Sequence, residues 1–105
     1  MKNAIIIHGM PSKEEYDANP QRTTEHWLPW LNKQLEDRKI ATTIPEMPIP
    51  YAPVYEQWRD TFEHILCNDE TVLIGHSCGG GFLVRWLSEN NVKVGKVALV
   101  APWTD

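Results

Sequence analysis

Ala4, Ile5, Ile6 and Ile7 form an unbroken β-favouring run with no polar alternation, the pattern of a strand covered on both faces in a parallel sheet. His8-Gly9-Met10-Pro11-Ser12 ends that run. Residues 13–24 are polar and include Asp17, Asn19 and Pro20, which predicts a long surface loop beside the strand's C-terminal end. Trp27, Leu28, Leu31 and Leu35 then recur at helical spacing. Pro29 fits this helix only in its first turn, where a missing N–H costs no hydrogen bond, so the helix is expected to start between His26 and Leu28.

Residues 40–44 are a short β-like run, and Pro45, Pro48, Pro50 and Pro53 exclude both helix interior and central strand from residues 45–53. An extended connector is expected there. Trp58, Phe62, Ile65 and Leu66 fall at i, i+4, i+7 and i+8, predicting a second amphipathic helix over residues 54–67 that Asn68-Asp69 ends. Thr71-Val72-Leu73-Ile74 is a third buried strand. It runs straight into Gly75-His76-Ser77-Cys78-Gly79-Gly80-Gly81 and a helix carrying Phe82, Leu83, Trp86 and Leu87, closed by Asn90-Asn91. A fourth strand is expected from Lys96 to Ala101, stopped by Pro102.

Strands separated by helical crossovers pair in parallel, so the pattern β-α-β-α-β-α-β predicts an α/β fold: a three-layer α/β/α sandwich with strand order 2-1-3-4. Residues 1–105 are expected to form a single domain. Trp103-Thr104-Asp105 follow the fourth strand without a closing helix. The expectation is therefore an open edge, with Val97, Leu99 and Trp103 uncovered, and self-association through the strand Lys96 to Ala101.

Composition narrows the function classes. With 10 Lys plus Arg against 14 Asp plus Glu, a net charge of −4, 42% hydrophobic and 23% charged residues, the chain has ordinary globular composition without the basic footprint of a nucleic-acid or anionic-membrane binder. No apolar stretch approaches the roughly 20 residues that a membrane-spanning helix needs. The apolar stretch after Met1-Lys2-Asn3 is too short for the core of a secretory signal, and Cys67 and Cys78 make neither a disulfide framework nor a CxxC pair. A cytoplasmic location is expected.

Gly75-x-Ser77-x-Gly79 lies between a buried strand and a helix, the context of a nucleophile elbow. A sharp turn there lifts the serine hydroxyl to the C-terminal edge of the sheet, and the flanking glycines leave room for neighbouring backbone. At a helix N-terminus the N–H of Cys78 can face a developing oxyanion, which the helix dipole also favours. His8-Gly9-Met10, after the first strand, should lie beside Ser77 and offer the Met10 N–H as second donor. The plainer alternative is a tight turn at Gly9. Both His8 and His76 read as structural residues of their turns, because the triad histidine of such folds follows the serine and no histidine follows His76.

Other chemistries fit less well. Residues 75–80 have phosphate-loop spacing, but Gly81-Phe82 stands where Lys-Ser/Thr would hold phosphate and magnesium. His64, Cys67, His76 and Cys78 have zinc-ligand chemistry without zinc-motif spacing. Trp27, Trp30, Trp58 and Trp86 read first as core or rim residues and second as pocket walls. Asp105 is a candidate triad acid, with an exposed C-terminal carboxylate as the plainer alternative.

The initial strand with His8-Gly9, His26-Trp27-Leu28-Pro29-Trp30-Leu31 with Gln34-Leu35-Glu36, Pro45-Glu46-Met47-Pro48, Trp58, and Thr71-Val72-Leu73-Ile74-Gly75-His76-Ser77 together resemble the small α/β-hydrolases related to retinoblastoma-binding protein nine and its bacterial YdeN-like relatives. The resemblance implies a serine hydrolase of esterase or peptidase type on small acyl ester or amide substrates, with Ser77 as nucleophile and no metal or organic cofactor. Family members are similar to a chain nearly twice this length and carry the triad Asp and His in the further half. Where the eukaryotic member has Leu-x-Cys-x-Glu, this chain reads Ile65-Leu66-Cys67-Asn68-Asp69, so binding to the retinoblastoma protein is not implied. A non-catalytic binding or scaffold module on the same fold is the alternative function.

Overall fold

The computed structural model describes residues 3–19, 21, 28–65, 67–90 and 93–100. Their elements run β1 (Asn3–Ile7), α1 (Lys13–Ala18), α2 (Leu28–Asp37), β2 (Ala41–Thr43), α3 (Tyr55–Phe62), β3 (Thr71–His76), α4 (Cys78–Glu89) and β4 (Lys96–Val100). The strands form one sheet in the order β2-β1-β3-β4 with every neighbouring pair parallel, the expected topology. In the register, Ile7 stands beside Gly75 and His76 beside Val100. The C-terminal ends of β1, β3 and β4 therefore open on the same edge.

Successive side chains of a strand point to opposite faces, and the continuous apolar run of β1 is buried because both faces are covered. Ile5, Ile7 and Leu73 pack with Met47, with Trp58 and Phe62 of α3, and with Phe82, Leu83 and Trp86 of α4. Ile6 and Ile74 pack on the other face with Leu28 of α2, flanked by Leu31, Leu35 and Ile44. This is the three-layer sandwich. Trp58 and Trp86 belong to the core, whereas Trp30 is 63% exposed on α2; Trp27 lies outside the described residues.

Four expectations are corrected in detail. The expected loop over residues 13–24 begins with a helix, α1, started by a capping box in which the Ser12 hydroxyl accepts from the Glu15 N–H while the Glu15 carboxylate accepts from the Ser12 N–H. The helix expected over residues 54–67 stops at Phe62. His64 and Ile65 then donate to the carbonyls three residues back, a tightened last turn, yet Ile65 and Cys67 still reach the core; Leu66 lies outside the described residues. β3 extends through Gly75 and His76, beyond the apolar run, because both residues pair with neighbours in the sheet. β2 keeps only Ala41–Thr43. Before it, α2 ends with Lys39 at φ 60 while Ile40 and Lys39 donate to Leu35 and Glu36, a left-handed cap made without glycine.

A polar tie joins α3 to α4. Tyr55 donates to Glu89 at 2.8 Å, Arg85 donates to the other Glu89 oxygen at 3.3 Å, and the Arg85 guanidinium lies 3.9 Å over the Tyr55 ring. Burial, followed by the hydrogen bond to Glu89, pushes the Tyr55 hydroxyl up to about 12. A raised phenol stays protonated in the fold after the unfolded chain has ionised. The stabilisation held by this hydroxyl is thus expected in full below pH 10 and lost as pH rises towards about 12; Tyr55→Phe should flatten that part of the stability curve in a denaturant titration.

Candidate active site

Ser77 stands between the last residue of β3 and the first of α4, with φ 54 and ψ −117. Among the described non-glycine residues only Lys39 and Ile49 also have positive φ. A residue with a Cβ is strained there and persists only where its surroundings over-determine it. The surroundings can be named. The Ser77 N–H donates to the Val100 carbonyl at the end of β4, and the Ser77 carbonyl accepts from Gly80 and Gly81 in the first turn of α4. The Ser77 side chain makes no capping bond to the helix it precedes.

The glycines of the motif are positions where backbone meets backbone. A Cβ on Gly75 would lie 2.6 Å from Gly80 Cα and 2.8 Å from the Gly79 carbonyl oxygen. On Gly79 it would run into the carbonyl of Ile7 and come within 2.6 Å of the His8 oxygen. The start of α4 is thereby pressed onto the end of β1. Gly9 completes the arrangement: a Cβ there would stand 3.2 Å from Ser77 Cβ and 3.1 Å from His76 Nδ1. His8 and Gly9 after β1 are thus brought against His76, Ser77 and Gly79 around the β3–α4 turn.

His8 is buried at 1% exposure, with Nδ1 2.9 Å from the Gly9 carbonyl oxygen and Nε2 accepting the Met47 N–H at 2.9 Å. Its ring meets Trp58 edge-on at 5.5 Å, and Trp58 Nε1 donates to the Pro48 carbonyl at 2.9 Å. Met47 and Pro48 belong to the proline-rich connector, so this segment is anchored beneath the turn that adjoins Ser77. The resemblance rests in part on Pro45-Glu46-Met47-Pro48 without revealing these contacts. The pairing of Met47 with His8 spans 39 residues, and no local pattern encodes it.

Cys78, the first residue of α4, carries one of the N–H groups that a helix leaves without an internal partner. Its thiol is half-buried, and burial pushes its pKa up, away from the thiolate character of a reactive cysteine. Burial likewise raises Cys67, partly offset by a hydrogen bond with Thr71. Among the described residues no group of three His, Cys, Asp or Glu side chains is placed to hold a metal ion. Met10 is 41% exposed. Asp105, like His26, lies outside the described residues. No helix among the described residues is long and apolar enough to cross a membrane.

A strained serine at a strand–helix turn, set between an HG turn and a helix N-terminus on a parallel α/β sheet, is the architecture of the α/β-hydrolases. The model of the serine hydrolase family matches residues 6–105, and the chain belongs to that family. It is 34% identical over 105 residues to YdeN of Bacillus subtilis strain 168, a protein whose name assigns it provisionally to the hydrolases; the match covers 95% of this chain and 50% of YdeN. The crystal structure of the ydeN gene product from B. subtilis superposes with a TM-score of 0.75 at 30% identity, covering 94% of this chain and 50% of that one. The chain spans about half the length of the relative it matches.

Proposed function

We propose that Ser77 is the nucleophile of an acyl hydrolase acting on small ester or amide substrates. The observation that carries this reading is the Ser77 backbone, held at φ 54 and ψ −117 between β3 and α4 with Gly9 against its Cβ. In the reaction the Ser77 oxygen bonds to the substrate carbonyl carbon while a base takes the hydroxyl proton. The carbonyl electrons become an oxyanion held by the N–H groups of Met10 and Cys78, near the positive end of the α4 dipole. The tetrahedral species then expels the leaving group, which takes up the proton, and water cleaves the acyl-serine by the same steps in reverse order. No metal or organic cofactor enters this scheme.

The base and its carboxylate are assigned, by resemblance, to the part of the longer relatives that this chain does not match. His8 is a poor candidate because both ring nitrogens are engaged beneath the turn. Hydrolysis of p-nitrophenyl acetate by the chain beside Ser77→Ala tests the reading: a Ser77-dependent rate supports it, and equal rates favour the binding-module alternative.

The outer edge of β4 carries a further expectation. Among the described residues no strand pairs with that edge, and Val97, Leu99 and Val100 are each about two-fifths exposed. Unpaired strand edges template pairing with another chain, and a two-fold axis would set two copies of β4 antiparallel. Sedimentation of the 105-residue chain is expected to show dimers or larger species at high concentration; a strict monomer there would exclude this pairing.

A further inference from the structure

The Gly9 carbonyl and the Met10 N–H belong to one peptide unit. Such a unit is planar and trans, so the two groups point in opposite directions and whatever holds the oxygen also aims the N–H. The oxygen lies 2.9 Å from His8 Nδ1. A backbone amide can only donate, so the Met47 N–H, 2.9 Å from Nε2, requires that nitrogen to be the bare acceptor of the ring. A neutral imidazole with a bare Nε2 carries its proton on Nδ1, where it donates to the Gly9 oxygen. Trp58 supports the ring edge-on and fixes Pro48, the neighbour of Met47. The unit so held is adjacent to the nucleophile, given the 3.2 Å between the Gly9 Cβ position and Ser77 Cβ.

We propose that His8 is a positioning residue for the oxyanion donor: Met47 sets its tautomer, and the ring locks the Gly9–Met10 peptide so that the Met10 N–H faces the oxygen of an acyl group on Ser77. The proposal rests on the acyl-transfer reading of Ser77. It gives the proline-rich connector a role in the chemistry, exerted through an imidazole that neither touches substrate nor moves a proton.

Two readouts test it. Nitrogen-15 NMR of the 105-residue chain should show the His8 proton on Nδ1 and a bare, hydrogen-bonded Nε2; a proton on Nε2 would overturn the proposal. The second readout is the capture of Ser77 by a fluorophosphonate, followed as a saturating rate and a half-saturation concentration. His8→Phe keeps the ring beside Trp58 and loses both hydrogen bonds, and the saturating rate should fall about tenfold to a hundredfold, as for a misdirected oxyanion donor, with little change in half-saturation. His8→Asn places an amide N–H where Nδ1 stood and should recover much of the rate. His8→Gln can meet only the Met47 N–H and should stay as slow as His8→Phe. Each of the two amide variants loses one hydrogen bond, so their melting temperatures should be similar. Rates that follow melting temperature, or equal rates for Asn and Gln, would make His8 merely structural. Absence of any capture even with the further half of a YdeN-like chain supplied would remove the acyl-transfer reading, and the imidazole spectrum would still decide how the peptide is held.

Discussion

Fluorophosphonate is expected to capture Ser77 of the 105-residue chain slowly or not at all, and Ser77→Ala to abolish what capture there is while leaving the fold intact. A serine hydroxyl needs a base. Without one, the oxyanion hole and binding alone leave a residual rate about 10³- to 10⁴-fold above water in well-studied proteases. Of the two histidines at the turn, His8 is engaged on both nitrogens, and the family resemblance assigns the base to the further half of the longer relatives. Adding the matching further half of a YdeN-like chain, fused or in trans, should therefore raise the capture rate by roughly 10²- to 10⁴-fold, the usual contribution of a general base. Rapid stoichiometric labelling of the 105-residue chain alone would show that a base is already in place, and His76→Ala would be the first substitution to make.

Gly79→Ala is expected to be the most damaging single substitution in the elbow. Alanine favours a helix over glycine by about 1 kcal/mol, so an open helical site would gain stability. At Gly79 the added methyl meets the carbonyls of Ile7 and His8, which are backbone groups of the buried central strand and its turn. Overpacking costs about 1–3 kcal/mol where side chains can shift, and here they are not what must move. A net loss of about 3 kcal/mol corresponds to a fall of roughly 15 °C in the melting temperature of a domain this size. An unchanged melting temperature would show that α4 and β1 do not meet as described. The same lesion should also move the His8 turn, so labelling of Ser77 should be lost in whatever fraction remains folded.

The sheet is legible in the sequence because its two central strands, Ala4 to Ile7 and Thr71 to Ile74, are short, largely apolar runs bounded by turn residues and separated by helical spacing. The strand–helix turn at Ser77 is legible because the glycines around it are conspicuous. The sequence is less informative where polar residues build local structure. Ser12 and Glu15 spell a capping box, a signal masked by the loop-like polarity of residues 13–24. The end of α3 is hidden because Ile65 and Cys67 keep the apolar spacing after the helical hydrogen bonds have stopped. The support of the HG turn is invisible for a different reason: it depends on a Met47 amide and a Pro48 carbonyl, backbone groups that carry almost no residue-type signal.

The uneven burial of the sheet sets an order of opening. Ala4 to Ile7 and Leu73 are fully covered, whereas every residue of β4 is exposed. Local opening free energies follow such differences, from near zero at exposed margins up to the global value in the core. In hydrogen exchange, β4 amides should therefore trade their protons first and those of β1 and β3 last. Ser77 lies on the seam between these regimes, its carbonyl tied to the start of α4, where Gly79 and Gly80 are buried, and its amide to Val100 of the exposed edge. Fraying of that edge would leave the serine attached to a rigid helix while releasing one of the bonds that hold its backbone out of the ordinary conformational basins.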